Sequence, residues 1–228
     1  MYVSRVLPIA VPSKIVGVGL NYRDHAREAK LEVPPRPILF AKWPSALIGP
    51  DDPIVIPAGA AQVDYEAELA LVIGERARDV PLERALDVVA GLTCLNDVSA
   101  RDVQFAEGQW TRGKSFDSFC PVGPEVVPVE RVGDPQALRV RCRVNGETMQ
   151  DASTADMIFG VAELVSFASR ATTLEPGDVI ATGTPPGVAL GQEDPRYLRA
   201  GDVVEVEIDG IGILRNPVVA AADGLPVA

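Results

Sequence analysis

Residues 63–74 read VDYEAELALVIG, a run typical of a half-buried β-strand that ends in a turn. Glu66 and Glu68 lie two positions apart within it, and because alternate side chains of a strand leave the same face, the two carboxylates lie side by side. Like charges at this separation repel each other unless a positive group lies between them. The same face continues with Ala70 and Val72, which indicates that it enters the interior rather than facing water.

The charges of Glu66 and Glu68 require a partner, because buried carboxylates are paired with cations or coordinate a metal. Oxygen ligands without a neighbouring His or Cys suit a hard ion such as Mg²⁺, Mn²⁺ or Ca²⁺. Asp97 follows the apolar stretch 91–95, and a strand that ends there would present its carboxylate to a pocket as a third ligand. Two alternatives stay open on this chemistry: Asp97 caps a helix that follows it, and the glutamates lie on a solvated strand face.

A second glutamate pair in the chain provides a comparison. Glu205 and Glu207 have the same spacing within GDVVEVEIDG, residues 201–210. There the acidic residues alternate with valine and isoleucine, which predicts a strand with one face in water. The spacing alone therefore does not indicate a metal site.

The composition is that of an ordinary globular protein. Of 228 residues, 47% are hydrophobic and 23% are charged, and a chain of this length can bury a substantial core. Short apolar runs separated by turn residues predominate and no strand–helix–strand repeat persists, so we expect one α+β domain over residues 1–228, mainly of mixed or antiparallel sheet. Expected strands lie at 14–20, 38–42 and 54–56, a hairpin turns at Asn145-Gly146, and helical patterns cover 22–30, 81–89 and 153–171.

Several classes of protein are disfavoured by the composition. The net charge of −11 argues against nucleic-acid binding, since phosphates require a basic surface. No apolar run approaches the roughly 18 residues of a membrane span, and residues 1–14 lack the basic and apolar regions of a secretory signal. The three cysteines form no C-x-x-C pair, which excludes a zinc ribbon or thioredoxin-type centre and favours buried small hydrophobes. We therefore expect a cytoplasmic protein that binds neither nucleic acid nor membrane.

Three further segments carry residues suited to chemistry. His25 is the single histidine, and Glu28 follows on the same face of the predicted helix, where a carboxylate would fix the tautomer of a general acid–base. The alternative is a surface histidine on a charged helix. Lys114 lies in the loop TRGKSFD, residues 111–117. The segment ATGTPPG, residues 181–187, lacks the ending of a phosphate loop, but its amides and hydroxyls are suited to binding a carboxylate.

Together these segments resemble the catalytic domain of the fumarylacetoacetate hydrolase family. Several ordered motifs at family-like spacing carry the resemblance, which covers nearly the whole chain and is similar to the short, single-domain members. It implies a mixed β-roll with flanking helices, usually as a homodimer. The matching segments are KIVGVGLNYRDHAREA (14–29), VDYEAELALVIG (63–74), CLNDVSARDVQ (94–104), RGKSFDSFCPVGPEVV (112–127) and VIATGTPPGVA (179–189).

The resemblance also implies a role for individual residues. The family's three metal ligands, normally for Mg²⁺ and in some members for Mn²⁺ or Ca²⁺, match Glu66, Glu68 and Asp97. The catalytic H-x-x-E pair, which many members carry on a segment that orders over bound substrate, matches His25 and Glu28. A lysine that holds the substrate or the developing oxyanion matches Lys114. Positions in the remaining substrate-binding motifs match Tyr22, Lys42, Arg101, Gln104, Gly183 and Thr184.

The implied activity is that of a metal-dependent enzyme acting on small 2-oxo acids through a stabilised enolate. The expected reaction cleaves the C3–C4 bond, either by hydrolysis of an acylpyruvate or by decarboxylation of an oxaloacetate-type diacid. The alternative is isomerisation of a 2-hydroxydienoate of the 5-carboxymethyl-2-hydroxymuconate type, as in aromatic catabolism. A further alternative, from another class, is a ligand-binding protein that keeps this scaffold without catalysis.

Overall fold

Strands dominate the structure, a computed structural model that describes residues 7–222. The strands of this range are β1 (Ile15–Gly19), β2 (Ile38–Lys42), β3 (Leu47–Ile48), β4 (Ile54–Ile56), β5 (Val63–Asp64), β6 (Ala67–Ile73), β7 (Val89–Asn96), β8 (Ser99–Ala100), β9 (Cys120–Val127), β10 (Arg139–Val144), β11 (Glu147–Ser153), β12 (Val179–Ala181), β13 (Val203–Ile208) and β14 (Gly212–Ala220). The α-helices are α1 (Arg23–Glu28), α2 (Arg101–Glu107), α3 (Val129–Val132) and α4 (Val161–Ala171), and short 3-10 helices lie at Pro44–Ala46, Leu82–Val88, Thr154–Asp156 and Ala189–Gly191.

The strands form two larger mixed sheets and a small pair. A seven-stranded sheet has the order β2-β1-β12-β6-β7-β9-β3, a five-stranded sheet has the order β11-β10-β13-β14-β4, and β5 pairs with β8. Parallel pairs, such as β1 with β12, occur beside antiparallel ones. The sheets pack on one another around a shared core. This arrangement confirms the expected mainly-β α+β fold, a mixed β-roll with flanking helices.

Strand β6 lies near the middle of the larger sheet and is buried on both faces. Leu69 and Leu71 point into the main core, whereas Ala70 and Val72 belong to a second apolar cluster on the opposite face. The face that carries Glu66 and Glu68 therefore continues into the interior, as its sequence predicts. Fully burying a leucine contributes roughly 1.5–3 kcal/mol, so β6 is a firm support for the acidic side chains at its start.

The hairpin at Asn145-Gly146 is confirmed between β10 and β11, with both residues at positive φ, 53° and 82°. Strand β13 pairs with β10 on its other side. There Glu207 is half-buried and accepts hydrogen bonds from Arg141 and Arg143. The second glutamate pair therefore lies on a polar face neutralised by arginines of the neighbouring strand.

Two helix predictions need correction. Residues 82–88 form a 3-10 helix preceded by Pro81 rather than an α-helix. Leu82, which the helical spacing of Leu82, Leu86 and Val89 would place on one apolar face, is 49% exposed. The long helical pattern at 153–171 becomes an α-helix only from Val161, because the residues before it extend β11 and form a short 3-10 turn. The two segments pack against each other, so their apolar residues serve this mutual contact rather than one continuous helical face over each predicted range.

Other expectations have mixed outcomes. All three cysteines are buried and free, as predicted. Within residues 7–222 no helix is long and apolar enough to span a membrane. The interpretation of residues 1–14 falls in part on residues 1–6, which lie outside the described range, as do residues 223–228. The single domain over 1–228, the cytoplasmic location and the homodimer stay predictions.

Candidate active site and metal centre

The pairing of β6 with β7 brings three carboxylates together. Glu68 lies opposite Leu95 in this antiparallel ladder, and the backbone N–H of Asp97 donates to the carbonyl of Glu66 at 2.9 Å. Asp97 thus lies across from Glu66, just beyond the end of β7. Carboxylate oxygens of Glu66, Glu68 and Asp97 all lie within 4.8 Å of one another, and all three residues are buried. Asp97 does not cap α2, whose N-cap position is Ala100.

Three buried cations contact this carboxylate cluster. Lys114 Nζ donates to Glu66 Oε2 at 2.8 Å and to Asp97 Oδ2 at 2.7 Å. Lys42 Nζ donates to Asp97 Oδ1 at 2.6 Å, and Arg101 Nη2 lies 2.7 Å from Glu66 Oε1. Burial alone would raise the pKa of Glu66, but the positive charges of Lys114 and Arg101 lower it to about 2. Glu66 is therefore held as a carboxylate by its neighbours.

Glu68 has a different environment. Its Oε2 accepts a hydrogen bond from the backbone N–H of Gly183 at 2.7 Å. Burial, together with the charges of Asp97 and Glu66, raises the pKa of Glu68 well above its ordinary value. A divalent cation among the three carboxylates would offset this repulsion, and the all-oxygen donor set is the one that Mg²⁺, Mn²⁺ and Ca²⁺ prefer. The residues present therefore fit a hard divalent metal.

The loop that follows β12 holds Glu68 in place. Gly183 has a φ of +95°, and a Cβ at this position would lie 2.6 Å from the Cβ of Asn21, so both its conformation and the space around it require glycine. The loop does bind a carboxylate, as its sequence suggests, but the carboxylate is that of Glu68. The hydroxyl of Thr184 donates to the carbonyl of Ala67 at 3.1 Å and accepts from Gln150 at 2.8 Å.

A cavity of about 330 Å³ opens onto the cluster. Its buried polar wall brings together half of the residues predicted for the site, and the members other than His25 are at most 5% exposed. These wall residues are His25, Glu66, Arg101, Gln104, Lys114 and Thr184. The predicted polar groups therefore converge on one space large enough for a small organic acid.

His25 and Glu28 form the expected pair on α1. His25 Nδ1 lies 3.2 Å from Glu28 Oε2, and the carboxylate of Glu28 also accepts a hydrogen bond from the backbone N–H of Gly187 at 3.1 Å. A Cβ on Gly191 would lie 2.3 Å from the Glu28 side chain, so this glycine makes room for the glutamate. Glu28 is thus fixed from two sides and orients the imidazole at the cavity wall.

Tyr22 and Lys42 lie behind the wall rather than on it. Tyr22 is fully buried, and within the described residues its hydroxyl has no hydrogen-bond partner. Burial and the negative charges of Glu68 and Asp156 raise its pKa. Lys42 is 1% exposed and is bonded to Asp97 and to the carbonyls of Val98 and Lys114. Substrate contact by these two residues stays a prediction, and the observed contacts of Lys42 position Asp97.

The sequence interpretation missed Asp64. It is fully buried, and its Oδ2 accepts from Arg101 Nε at 2.9 Å. Its two carboxylate oxygens also accept from the backbone N–H groups of Ala189 and Leu190 at 2.9 and 3.1 Å. The spacing in the sequence carried a signal, since Asp64 lies two positions before Glu66, although the structure ends β5 at Asp64 and begins β6 only at Ala67.

Comparison with known proteins agrees with this geometry. The family model described as the C-terminal domain of fumarylacetoacetate (FAA) hydrolase matches residues 14–219. The chain belongs to the fumarylacetoacetate hydrolase family. Within it, a mitochondrial oxaloacetate tautomerase of Xenopus laevis is 48% identical over 219 residues, which are 95% of this chain and 69% of that protein.

Two solved structures of the fumarylacetoacetate hydrolase type share the fold. A 5-carboxymethyl-2-hydroxymuconate delta-isomerase from Mycobacterium smegmatis superposes with a TM-score of 0.86 at 43% identity, covering 96% of this chain and 83% of that one. A 2-hydroxyhepta-2,4-diene-1,7-dioate isomerase from Mycobacterium marinum gives a TM-score of 0.84 at 44% identity, with coverage of 95% and 78%. The named relatives are thus enzymes of tautomerisation and isomerisation.

Proposed function

We propose that the chain is a divalent-cation-dependent enzyme that transfers a proton at the carbon beside the ketone of a small 2-oxo acid. It would interconvert keto and enol forms or shift a double bond. The observation that carries the proposal is the shared cavity, whose lining includes Glu66 of the buried carboxylate cluster, Lys114, Arg101, and the His25 that Glu28 orients from behind. The names of the relatives support proton transfer as the outcome ahead of the C3–C4 cleavage expected from the sequence.

Removal of a proton beside a ketone leaves negative charge on the ketone oxygen, which the site would stabilise. Glu66, Glu68 and Asp97 would hold the divalent cation, which when bound supplies the main electrostatic stabilisation of that charge. Lys114 Nζ, already between two of these carboxylates, adds a second positive charge in a buried setting. Gln104 accepts a hydrogen bond from Arg101 at its Oε1, 3.1 Å away, which leaves its amide N–H groups to bind the substrate carboxylate.

His25 is the group that would carry the proton. Because Nδ1 faces Glu28, the second ring nitrogen, Nε2, is left to remove or return a proton at C3. Glu28 fixes the tautomer that this role requires and stabilises the imidazolium that forms.

Cleavage of the C3–C4 bond is the second candidate function. The family is named after a hydrolase, and a water molecule activated by His25 Nε2 would attack the C4 carbonyl of an acylpyruvate. With oxaloacetate, loss of carbon dioxide from C4 would follow from the same stabilisation of charge at the ketone oxygen.

One assay tests the proposal and separates the candidates. Exchange of the C3 hydrogens of oxaloacetate with D₂O is followed by NMR with Mg²⁺ or with EDTA, while pyruvate and carbon dioxide are measured in the same samples. The expected result is exchange faster than in the same Mg²⁺-containing buffer without enzyme, lost with EDTA, and with no release of carbon dioxide above that buffer's own rate. Enzymatic release of pyruvate would select cleavage. No rate above buffer for oxaloacetate, acetylpyruvate or a 2-hydroxydienoate would overturn the proposal.

Variants assign the roles within this assay. Glu68→Gln should lose Mg²⁺ binding and exchange together, whereas His25→Ala should keep Mg²⁺ binding and lose exchange. Glu205→Gln is the matched control, because Glu205 has the same spacing to a second glutamate but lies on the arginine-paired strand β13. Full activity of the His25 variant would remove the histidine from the mechanism.

A further inference from the structure

The cavity changes character between its floor and its mouth. The floor comprises the five most buried residues of the polar wall, which are Glu66, Arg101, Gln104, Lys114 and Thr184. The other lining side chains are largely apolar, and several are exposed to solvent at the mouth. These apolar residues include Leu31, Ile38, Phe40, Phe105, Trp110 and Leu190.

The exposure of these residues places them at the entrance. Phe105 is 57% exposed, Leu31 59% and Ile38 40%, whereas the polar floor residues are almost fully buried. A 2-oxo acid whose carboxylate and ketone occupy the floor therefore extends its far end past these apolar side chains.

An aromatic wall between floor and mouth is built into the fold. The rings of Phe40 and Trp110 meet edge to face with centroids 5.7 Å apart, and Lys114 Nζ lies 5.0 Å from the centroid of Phe40. A Cβ on Gly17 would lie 2.2 Å from the Phe40 ring, and one on Gly19 would lie 2.6 Å from Trp110. The two glycines of β1 thus make room for both rings.

The charges of the cavity are distributed just as unevenly. Among the described residues that line it, the lysine and arginine are Lys114 and Arg101, and both are on the floor. At the mouth the ionisable residue is Glu32, which is exposed and negative. A carboxylate at the far end of a long substrate would meet apolar side chains and a like charge, which both disfavour it.

We propose that this site selects 2-oxo acids whose far end is uncharged and apolar over those of equal length that end in a second carboxylate. A four-carbon diacid is exempt, because its second carboxylate stays on the floor with the cations. The inference rests on the proposed function and goes further by naming the class of substrate. Phe105 and Glu32 are its specificity-determining residues, and Phe40 with Trp110 provides the apolar surface.

A matched pair of substrates tests this selectivity. The probes are 2,4-dioxoheptanoate and 2,4-dioxoheptanedioate, which differ only in a terminal methyl or carboxylate group. We expect kcat/KM for proton exchange at C3 to be about tenfold or more higher for the methyl-ended acid than for the dioate. This is the scale at which an apolar pocket discriminates between substrates. A ratio near one, or a preference for the dioate, would overturn the selectivity and leave the proposed function standing.

Variants at the mouth test which residues determine the ratio of kcat/KM between the two acids. Phe105→Arg and Glu32→Lys should each raise kcat/KM for the dioate and narrow the ratio, since both place a cation at the mouth. Leu82→Arg is the control, because Leu82 is 49% exposed and does not line the cavity. An unchanged ratio in both mouth variants would refute the assignment. If no 2-oxo acid reacts, the proposed function fails and the selectivity fails with it.

Discussion

Replacement of Asp64 by alanine tests how the buried charges are held. The change removes a fully buried carboxylate that pairs with Arg101 at 2.9 Å and accepts two backbone N–H groups at 2.9 and 3.1 Å. Loss of one partner of a buried ion pair costs about 3–5 kcal/mol. Arg101 keeps Glu66 as a second partner, so we expect the lower end, about 3 kcal/mol. For a domain of this size, that lowers Tm by about 6–12 °C.

The assay is thermal unfolding followed by circular dichroism, with kcat/KM measured at a temperature where both proteins are folded. Asp64→Ala should lower kcat/KM as well, because Arg101 loses the contact that fixes its guanidinium beside Gln104. Asp24→Ala is the control, since Asp24 forms an exposed pair with Arg27 and such pairs contribute little to stability. A melting temperature of the Asp64 variant within about 2 °C of the wild type would refute the reasoning.

Three further predictions follow from the site and its supports. Mg²⁺ at about 100 times its Kd should stabilise the protein by about 2.7 kcal/mol, and calorimetry should find no such gain for Glu68→Gln. Gly183→Ala should be less stable in urea than Gly201→Ala, because both glycines have φ near +95° but a Cβ at position 201 would meet nothing within 4 Å. Asp178 is stabilising at neutral pH: burial would raise its pKa, but hydrogen bonds from Lys14 and neighbouring groups hold it below the ordinary 3.8. That contribution is present above pH 3.8 and is lost as the pH falls below it. In urea titrations, the difference in free energy of unfolding between wild type and Asp178→Asn should therefore become smaller as the pH is lowered.

The sequence was most informative where strand period and burial act together. Glu66 and Glu68 share a face that continues into the interior at Ala70 and Val72, and this pattern indicated a carboxylate cluster before any motif was matched. Asp97 joins the cluster because β7 pairs with β6. The sequence indicates the end of a strand before Asp97, where an apolar run stops, but it does not indicate which strand lies beside it.

Contacts between distant segments account for what the sequence did not indicate. Lys42 bonds Asp97 across 55 residues, and Asp64 bonds the amide of Leu190 across 126. Neither contact can be predicted from local spacing in the sequence, since each depends on which strands and loops become neighbours in the fold. Tertiary context also overrides the apolar period at Val161, where the helix begins only after the end of β11 and a 3-10 turn, and packs against the distant segment 82–88.

The double burial of β6 has a consequence for how the protein opens. We expect amides in a strand covered on both faces to exchange with solvent only when most of the fold unfolds, whereas those of α1, a single short helix with one side in water, should exchange through local opening. Glu68 belongs to the first group and His25 to the second. Hydrogen exchange should therefore be slow for the amides of β6, whose Glu68 would hold the cation, and fast for those of α1, whose His25 would carry the proton. Local opening of α1 would move His25 away from the cavity while the carboxylates on and beside β6 stay in place.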